Sequence, residues 1–302
     1  MTTTGERGES AYLLGHSPTE LDRLVLQARL YDPITTQALR LAGLSSGMRV
    51  LDVGCGAGDV TFAAAAIVGP TGAVTGIDAA PAALELAHAR AARRAAEPGR
   101  EREGVISFRE ATLPDVTLDE PVDAVIGRLI LGHLPDPVTA LRRLSRLVRP
   151  GGLIAFQDFD NHPLRVVPAT PLADAVLQTI AEALTVDGTD LGAGARLYSL
   201  FQEAGLPPSG ISATTPMGGA EDATILPLVV QTYRALSMAG LPARNRAREA
   251  ARRVGDPDSL LERMRSEIAE TRAVVIMPTA VTVWTVWNGE REESQTAARQ
   301  PT

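Results

Sequence analysis

The stretch Val50-Leu51-Asp52-Val53-Gly54-Cys55-Gly56-Ala57-Gly58 decides the fold. Its first residues read as a short apolar strand. The glycines at 54, 56 and 58 let the backbone turn sharply at the strand's C-terminal edge and approach a ligand closely. A dinucleotide loop needs G-x-G-x-x-G. Here the third glycine falls at 58 and Asp59 follows it. An acid at the start of the next helix suits the helix dipole but repels the pyrophosphate that a dehydrogenase places there. The loop therefore prefers a ligand without phosphates, and Asp52 beside it suits a ligand carrying positive charge.

Outward from the loop, strands and helices alternate. Residues 49–53 are the first strand and 59–68 an alanine-rich helix. A second strand covers 73–77 and ends at Asp78. Pro81 opens a helix over 81–96, because proline fits a first turn. Strands over 105–109 and 124–126 follow, then a helix over 138–148 stopped by Pro150-Gly151-Gly152, then a strand over 153–157. Five such repeats with short connections predict an α/β fold with a parallel, doubly wound sheet and helices on both faces. Upstream, Ser17-Pro18-Thr19-Glu20 is a helix start, and a second helix is expected over 34–42, ending at Gly43. Downstream, helices are expected over 172–184 and 196–204 and a strand over 211–215. Helical segments over 223–239, 243–254 and 258–271 come next, and a β-branched, aromatic run over 274–287 closes the pattern.

The composition narrows the function. The chain has 302 residues, long enough to bury a real core, with 45% hydrophobic and 22% charged residues. All 29 basic residues are arginine, so Schiff-base chemistry and a P-loop lysine are excluded. A net charge of −7 disfavours a nucleic-acid partner, whose phosphates need cationic side chains. The single cysteine, Cys55, excludes a disulfide framework or a cysteine-rich zinc site. No apolar stretch is long enough to span a membrane and the first ten residues do not read as a signal peptide, so a cytoplasmic location is expected.

Twenty residues after Gly58, Asp78 ends the second strand, where an acid accepts hydrogen bonds from a ribose diol. A ribose acceptor, a cation-favouring Asp52 and a loop that rejects phosphate together suit S-adenosylmethionine. With these residues in place, the chain resembles the class I S-adenosylmethionine-dependent methyltransferases, in the small-molecule branch similar to the ubiquinone- and menaquinone-type enzymes. Leu51 to Gly58 resembles the first motif of that family and Thr75-Gly76-Ile77-Asp78-Ala79-Ala80-Pro81 the second-strand acid motif. Asp123 to Arg128, continuing to His133-Leu134-Pro135-Asp136, resembles the fourth-strand segment, and Leu147 to Leu153 the turn before strand five. The resemblance spans about residues 46–160. It implies a seven-stranded Rossmann-like sheet whose last strand is antiparallel, an N-terminal helical cap and a helical lid inserted between the last two strands. It implies cofactor contacts from Asp52, Gly54, Gly56, Gly58, Asp78, Ala79, Thr112, Leu113 and Arg128, with Thr112 standing where the family often has an aspartate beside the adenine. Tyr12, Gln27 or Tyr31 is expected to face the methionine end. The organisation expected is a cap over 1–45, a cofactor-binding core over 46–162, a C-terminal part with the lid over 163–290 and a polar tail over 291–302.

His162 and His133, after strands five and four, are the candidate bases. Phe159, Tyr233 and Met238 are candidate walls of an apolar acceptor pocket. Asp158, Asp160 and His162 alternate along one face and offer oxygen ligands for Mg²⁺, but no second ligand cluster is visible, so no metal is expected. The function expected is methyl transfer to a small, largely apolar metabolite by a chain that is either monomeric or a homodimer. The alternative is a methyltransferase-fold protein that binds the cofactor or its demethylated product, S-adenosylhomocysteine, and catalyses a rearrangement without methylating, or serves as a binding protein.

Overall fold

The computed structural model describes residues 18–113, 115–186, 190–238 and 254–289. One helix, α1 (Pro18–Ala42), leads into β1 (Arg49–Val53), α2 (Asp59–Val68), β2 (Ala73–Asp78), α3 (Pro81–Ala95), β3 (Val105–Glu110), β4 (Val122–Arg128), α4 (Pro137–Ser145) and β5 (Val148–Asp160). Then come β6 (Arg165–Val167), α5 (Pro171–Val186), α6 (Ala193–Glu203), β7 (Gly210–Thr214), β8 (Met217–Gly218) and α7 (Ile225–Met238). The chain closes with α8 (Leu260–Thr271), β9 (Val274–Ile276) and β10 (Thr279–Trp287).

Seven strands form the main sheet in the order β3-β2-β1-β4-β5-β10-β7. The first five are parallel. β10 runs antiparallel between β5 and β7, with Val283 opposite Phe156 on one side and Ile211 on the other. The order reverses at β1 and β4, which places the glycine loop at the crevice where such sheets bind ligands.

Alternation along the strands sorts the core. Val50, Ala124, Ile126 and Ala155 join Leu39 of α1 and Ala64, Ala65 and Val68 of α2 on one face. Leu51, Val125, Ile154 and Phe156 join Leu141 and Leu144 of α4 and Leu197 and Phe201 of α6 on the other. Asp52 shares the α2 face with Val50, so a carboxylate is carried into the core directly beneath the glycine loop.

Three expectations need correction. The two N-terminal helices are one, running through Pro33. The proline removes one helix hydrogen bond, but Tyr31, Thr35, Ala38 and Leu39 are buried on both sides of it and hold the helix in one piece. The final β-branched run is two strands. Pro278 cannot continue a ladder, so β9 turns away to pair with β6 and β8 in a small antiparallel sheet. The strand expected over 211–215 ends at Thr214, and Met217–Gly218 belongs to that second sheet.

The helical lid is larger than the expected insertion. α7 and α8 do lie between the last two strands, but α5 joins them from an insertion after β5. Ala173, Val176, Leu177 and Ile180 of α5 pack with Leu226, Val229, Val230 and Tyr233 of α7, and Leu260, Met264 and Ile268 of α8. Tyr31 of α1 closes the same cluster. Among the described residues no helix is long and apolar enough to cross a membrane. The helix expected over 243–254 lies almost wholly outside the described residues.

Candidate functional site

Local chemistry builds the loop. Gly54, Gly56 and Gly58 have φ of 66°, 52° and 90°, the left-handed region that L side chains rarely adopt. A Cβ on Gly54 would stand 2.7 Å from Ile130 Cδ1, and one on Gly58 3.0 Å from Phe62 Cζ. A Cβ on Gly56 would meet nothing within 4 Å, so the centre of the loop faces open space. The Cys55 amide donates to the Ile77 carbonyl at 2.9 Å and the Gly58 amide to the Cys55 carbonyl at 2.9 Å, which ties the loop to β2.

Asp78 completes the tie. Its Oδ2 accepts from the Gly56 amide at 2.8 Å and its Oδ1 from the Ala80 amide at 2.9 Å. Each oxygen keeps lone-pair capacity for a further donor. Ala79 is exposed beside it. The Ala111 amide donates to the Asp78 carbonyl, so the 111–113 turn starts at the same edge. Thr112 is exposed there and gives its hydroxyl to Asp115 at 2.5 Å, while Leu113 packs against the core.

Asp52 is buried under the loop. Thr61 Oγ1 donates to its Oδ2 at 2.6 Å, while Oδ1 is buried with no hydrogen-bond partner. Burial pushes this carboxyl up to about 7, the Thr61 hydrogen bond and Arg128 pull it down, and Asp78 and Asp59 push it further up. A buried acceptor without a donor is rare, and this one lies beside an open glycine cradle. The Cys55 thiol is buried too, and burial raises its pKa.

Arg128, at the end of β4, has its side chain only 7% exposed. Its Nη1 donates to Asp32 Oδ1 at 2.9 Å and Thr35 Oγ1 at 3.0 Å, and its Nη2 stands 4.0 Å from Asp59 Oδ2. The structure thus gives it acidic partners on α1 and α2. Thr35 lies 2.6 Å from Gln157 Oε1, and Gln157 Nε2 donates to Thr282 Oγ1 at 2.7 Å. A polar seam therefore runs beneath α1 across β4, β5 and β10.

The two histidines lie elsewhere. Asp158 and Asp160 point to the α6 face of β5, where a Cβ on Gly194 would meet the Asp158 carbonyl at 2.8 Å. Asp158 accepts from the Phe159 amide at 2.8 Å and the Gly132 amide at 3.3 Å. Burial raises its carboxyl, those amides lower it, and His133 lowers it further. His162 Nδ1 is 2.6 Å from Asp160 Oδ1, and the ring is 69% exposed. His133 is exposed on the short helical turn after β4.

The remaining candidates are dispersed. Phe159 stacks on Tyr31 with centroids 4.4 Å apart, and the Tyr31 hydroxyl donates to the Pro278 carbonyl. Tyr31 is therefore a buried strut under the lid and does not face the methionine end. Burial raises its pKa. Gln27 accepts from Arg23 at 2.7 Å. Tyr233 is buried in the lid, and Met238 ends α7 with its side chain outside the described residues, as Tyr12 is altogether. Among the described residues no group of three or more His, Cys, Asp or Glu could hold a metal ion. Sequence reasoning missed Thr61 and Asp32, and it quoted Gly76 in the second-strand motif without assigning it a packing role. A Cβ on Gly76 would collide with Phe108, Cys55 and Thr61 at 2.8–2.9 Å, and the G-x-D spacing at the end of β2 was a usable signal for it.

Comparison with known proteins adds to this geometry. A family profile described as "Methyltransferase domain" matches residues 44–205. The chain is 36% identical to a ubiquinone biosynthesis O-methyltransferase of Alkalilimnicola ehrlichii, over 46% of this chain and 53% of that protein. It is 34% identical to the aklanonic acid methyltransferase DauC of Streptomyces sp. strain C5, over 46% of this chain and 60% of the other. The chain thus spans less than two thirds of the length of these relatives. The YcgJ protein of Bacillus subtilis, 16% identical, superposes with a TM-score of 0.52 over 84% of this chain and 98% of its own, which shows the fold.

Proposed function

The chain belongs to the methyltransferase-domain family, and we propose that it transfers a methyl group from S-adenosylmethionine to a small, largely apolar metabolite, on oxygen or carbon. The observation that carries this reading is the buried, unpartnered Asp52 Oδ1 beside a glycine cradle closed by Asp78. The residues fit the cofactor: an unsatisfied acidic acceptor suits its cationic amino-acid end, and an amide-anchored carboxylate suits its ribose diol.

When bound, S-adenosylmethionine supplies a methyl group already activated by a sulfonium. What the protein adds is orientation and dryness. Asp78 accepts from the ribose hydroxyls, and its two amide bonds keep it aimed. Asp52 stabilises positive charge through Oδ1. Ala79, Thr112 and Leu113 border the adenine side, and Arg128 acts through Asp32 and Asp59. The lid, with Phe159, Tyr233 and Met238, excludes water and selects the acceptor. Where the acceptor must lose a proton, His162 takes it: Asp160 fixes Nδ1 and leaves Nε2 free. His133 beside Asp158 is the second such group.

The aklanonic acid relative and the apolar lid both favour a small, largely apolar acceptor. Calorimetry with S-adenosylhomocysteine tests the cofactor, and a mass gain of one methyl on candidate acceptors tests the transfer. Saturable binding without any methylated product across aromatic and aliphatic acceptors would favour the non-methylating alternative. Absence of binding would remove both.

A further inference from the structure

We propose that Arg90 of α3 is a positioning residue for the cofactor, holding the glycine loop at its Gly58 end. The inference rests on the methyl-donor reading above. Arg90 Nη1 donates to the Ala57 carbonyl at 2.7 Å and Nη2 to Asp59 Oδ1 at 2.5 Å. One rigid guanidinium fork thus closes on both sides of Gly58, the residue with φ of 90° that links loop to helix. Glycine backbones have the most conformational freedom to lose, so three glycines at alternate positions do not hold a cradle unaided. The Ala57 carbonyl belongs to the loop itself, and its partner comes from another helix.

Two further contacts fix the fork. The Arg90 guanidinium lies 5.3 Å from the centroid of the Phe62 ring, and that ring abuts Gly58. The other Asp59 oxygen lies 4.0 Å from Arg128 Nη2, and Arg128 is bonded to Asp32 and Thr35 of α1. Asp59 is therefore held between α3 and β4, and the loop's shape is coupled to the seating of α1. The outer side of this clamp opens on a cleft of about 740 Å³ lined by Asp32, Asp59, Phe62, Arg90 and Arg94. Water reaches the fork from there and the Arg90 side chain is 29% exposed.

Arg94 provides the control. It lies one turn further along α3 and stands over the same Phe62 ring at the same 5.3 Å, but its partner is Glu103 and not the loop. Arg90→Met and Arg94→Met each remove a guanidinium over Phe62 and an ion pair, with Asp59 and Glu103 respectively, and only Arg90→Met also removes the bond to the Ala57 carbonyl. S-adenosylhomocysteine binding is measured by calorimetry, amide exchange of residues 56–60 by NMR or mass spectrometry, and KM against kcat with a methyl acceptor. Arg90→Met is expected to weaken binding about tenfold, to raise the KM for the methyl donor much more than it lowers kcat, and to speed exchange in the loop. Arg94→Met is expected to change binding by less than about twofold. Arg90→Lys, which keeps the charge but replaces the planar fork with a single ammonium, should fall between wild type and Arg90→Met. Equal effects of the two Met variants, or wild-type affinity in Arg90→Met, overturn the proposal. If Arg90→Met loses its circular dichroism spectrum, Arg90→Lys decides, and wild-type affinity there overturns it. If the wild-type protein does not bind S-adenosylhomocysteine, the methyl-donor reading fails and the clamp is judged by exchange in the ligand-free protein. Faster loop exchange in Arg90→Met with none in Arg94→Met keeps it, and unchanged exchange removes it.

Discussion

The loop edge and the lid are built on opposite principles. At the loop edge, residues 49–59 and 73–80 meet through backbone amides and one carboxylate, with Asp78 bonded to Gly56 and Ala80 and Cys55 to Ile77. Side-chain identity matters there at a few positions, where glycine or an acid is obligatory. In the lid, α5, α7 and α8 meet through Leu, Val, Ile and Met side chains gathered from two insertions. Volume-conserving apolar swaps are tolerated in such packing. In the proposed reading one region fixes the cofactor's chemistry, and the other fixes which acceptor fits beside it. The two should respond differently to substitution, and that difference can be broken or sharpened by experiment.

The largest expected effect is on the loop side, at Asp52. Burial holds this carboxyl at about 7 in the folded protein, against an ordinary value near 4 when unfolded. The folded state binds the proton more tightly, so the contribution is complete below about pH 4 and is lost as pH rises to about 7. Stability of the ligand-free protein should fall across that window by up to about 4 kcal/mol from this group. Asp52→Asn should flatten the slope in denaturant titrations and weaken cofactor binding. A slope equal to wild type in the variant would show that Asp52 is ionised and paired in solution, and the two regions would no longer differ in this respect.

Asp78→Ala comes next. It removes the acceptor of the Gly56 and Ala80 amides and of the ribose hydroxyls, with charge-assisted bonds of roughly 1.5–3 kcal/mol each. Affinity for S-adenosylhomocysteine should drop at least about tenfold by calorimetry. Tyr233→Phe in the lid should do the reverse. Acceptor KM should shift by about two- to fivefold while cofactor affinity stays within about twofold. A variant with weakened cofactor binding and unchanged acceptor kinetics would erase the proposed division of labour.

The same contrast explains what the sequence made legible. The α/β alternation from Arg49 to Gln157 could be read element by element, but the helix expected over 138–148 ends at Ser145 and the strand expected over 153–157 runs from Val148 to Asp160, through the Pro150-Gly151-Gly152 read as a stop. Asp52, the three glycines and Asp78 could be read because the loop chemistry is local. The seam of Arg128, Asp32, Thr35, Gln157 and Thr282 could not. Its bonded partners are up to 125 residues apart, and a Thr or Gln inside an apolar strand has no sequence signature of its partner. The lid failed for a related reason. Periodicity found α5, α7 and α8, but only tertiary contact shows that α5 joins them. Pro33 misled in the other direction, since its local cost was outweighed by the burial of Tyr31 and Thr35.

The smallest expected effect separates the loop edge from the histidine side of the crevice. EDTA should leave methyl transfer unaltered, and added Mg²⁺ should not stimulate it. Asp158, Asp160 and His162 alternate along one strand end, which on sequence alone offers ligands to a divalent cation. In the folded chain both carboxylates already accept from local donors. Asp158 is buried, with one oxygen on the Phe159 amide and the other on the Gly132 amide. Burial also raises its carboxyl above the usual range, so it gives up its proton less readily than an oxygen ligand should. Asp160 accepts from the His162 amide and pairs with His162 Nδ1. A cation recruited here would compete with those donors and gain only two carboxylates and a ring, fewer than the six oxygens Mg²⁺ prefers. Activity is therefore to be measured after exhaustive chelation and again with Mg²⁺ restored, using His162→Gln as a comparison. Loss on chelation that Mg²⁺ reverses would turn this segment from a proton-accepting pair into a metal site. Unchanged activity after chelation, with a lowered kcat and an altered pH profile in His162→Gln, would leave the imidazole as the working group on that side.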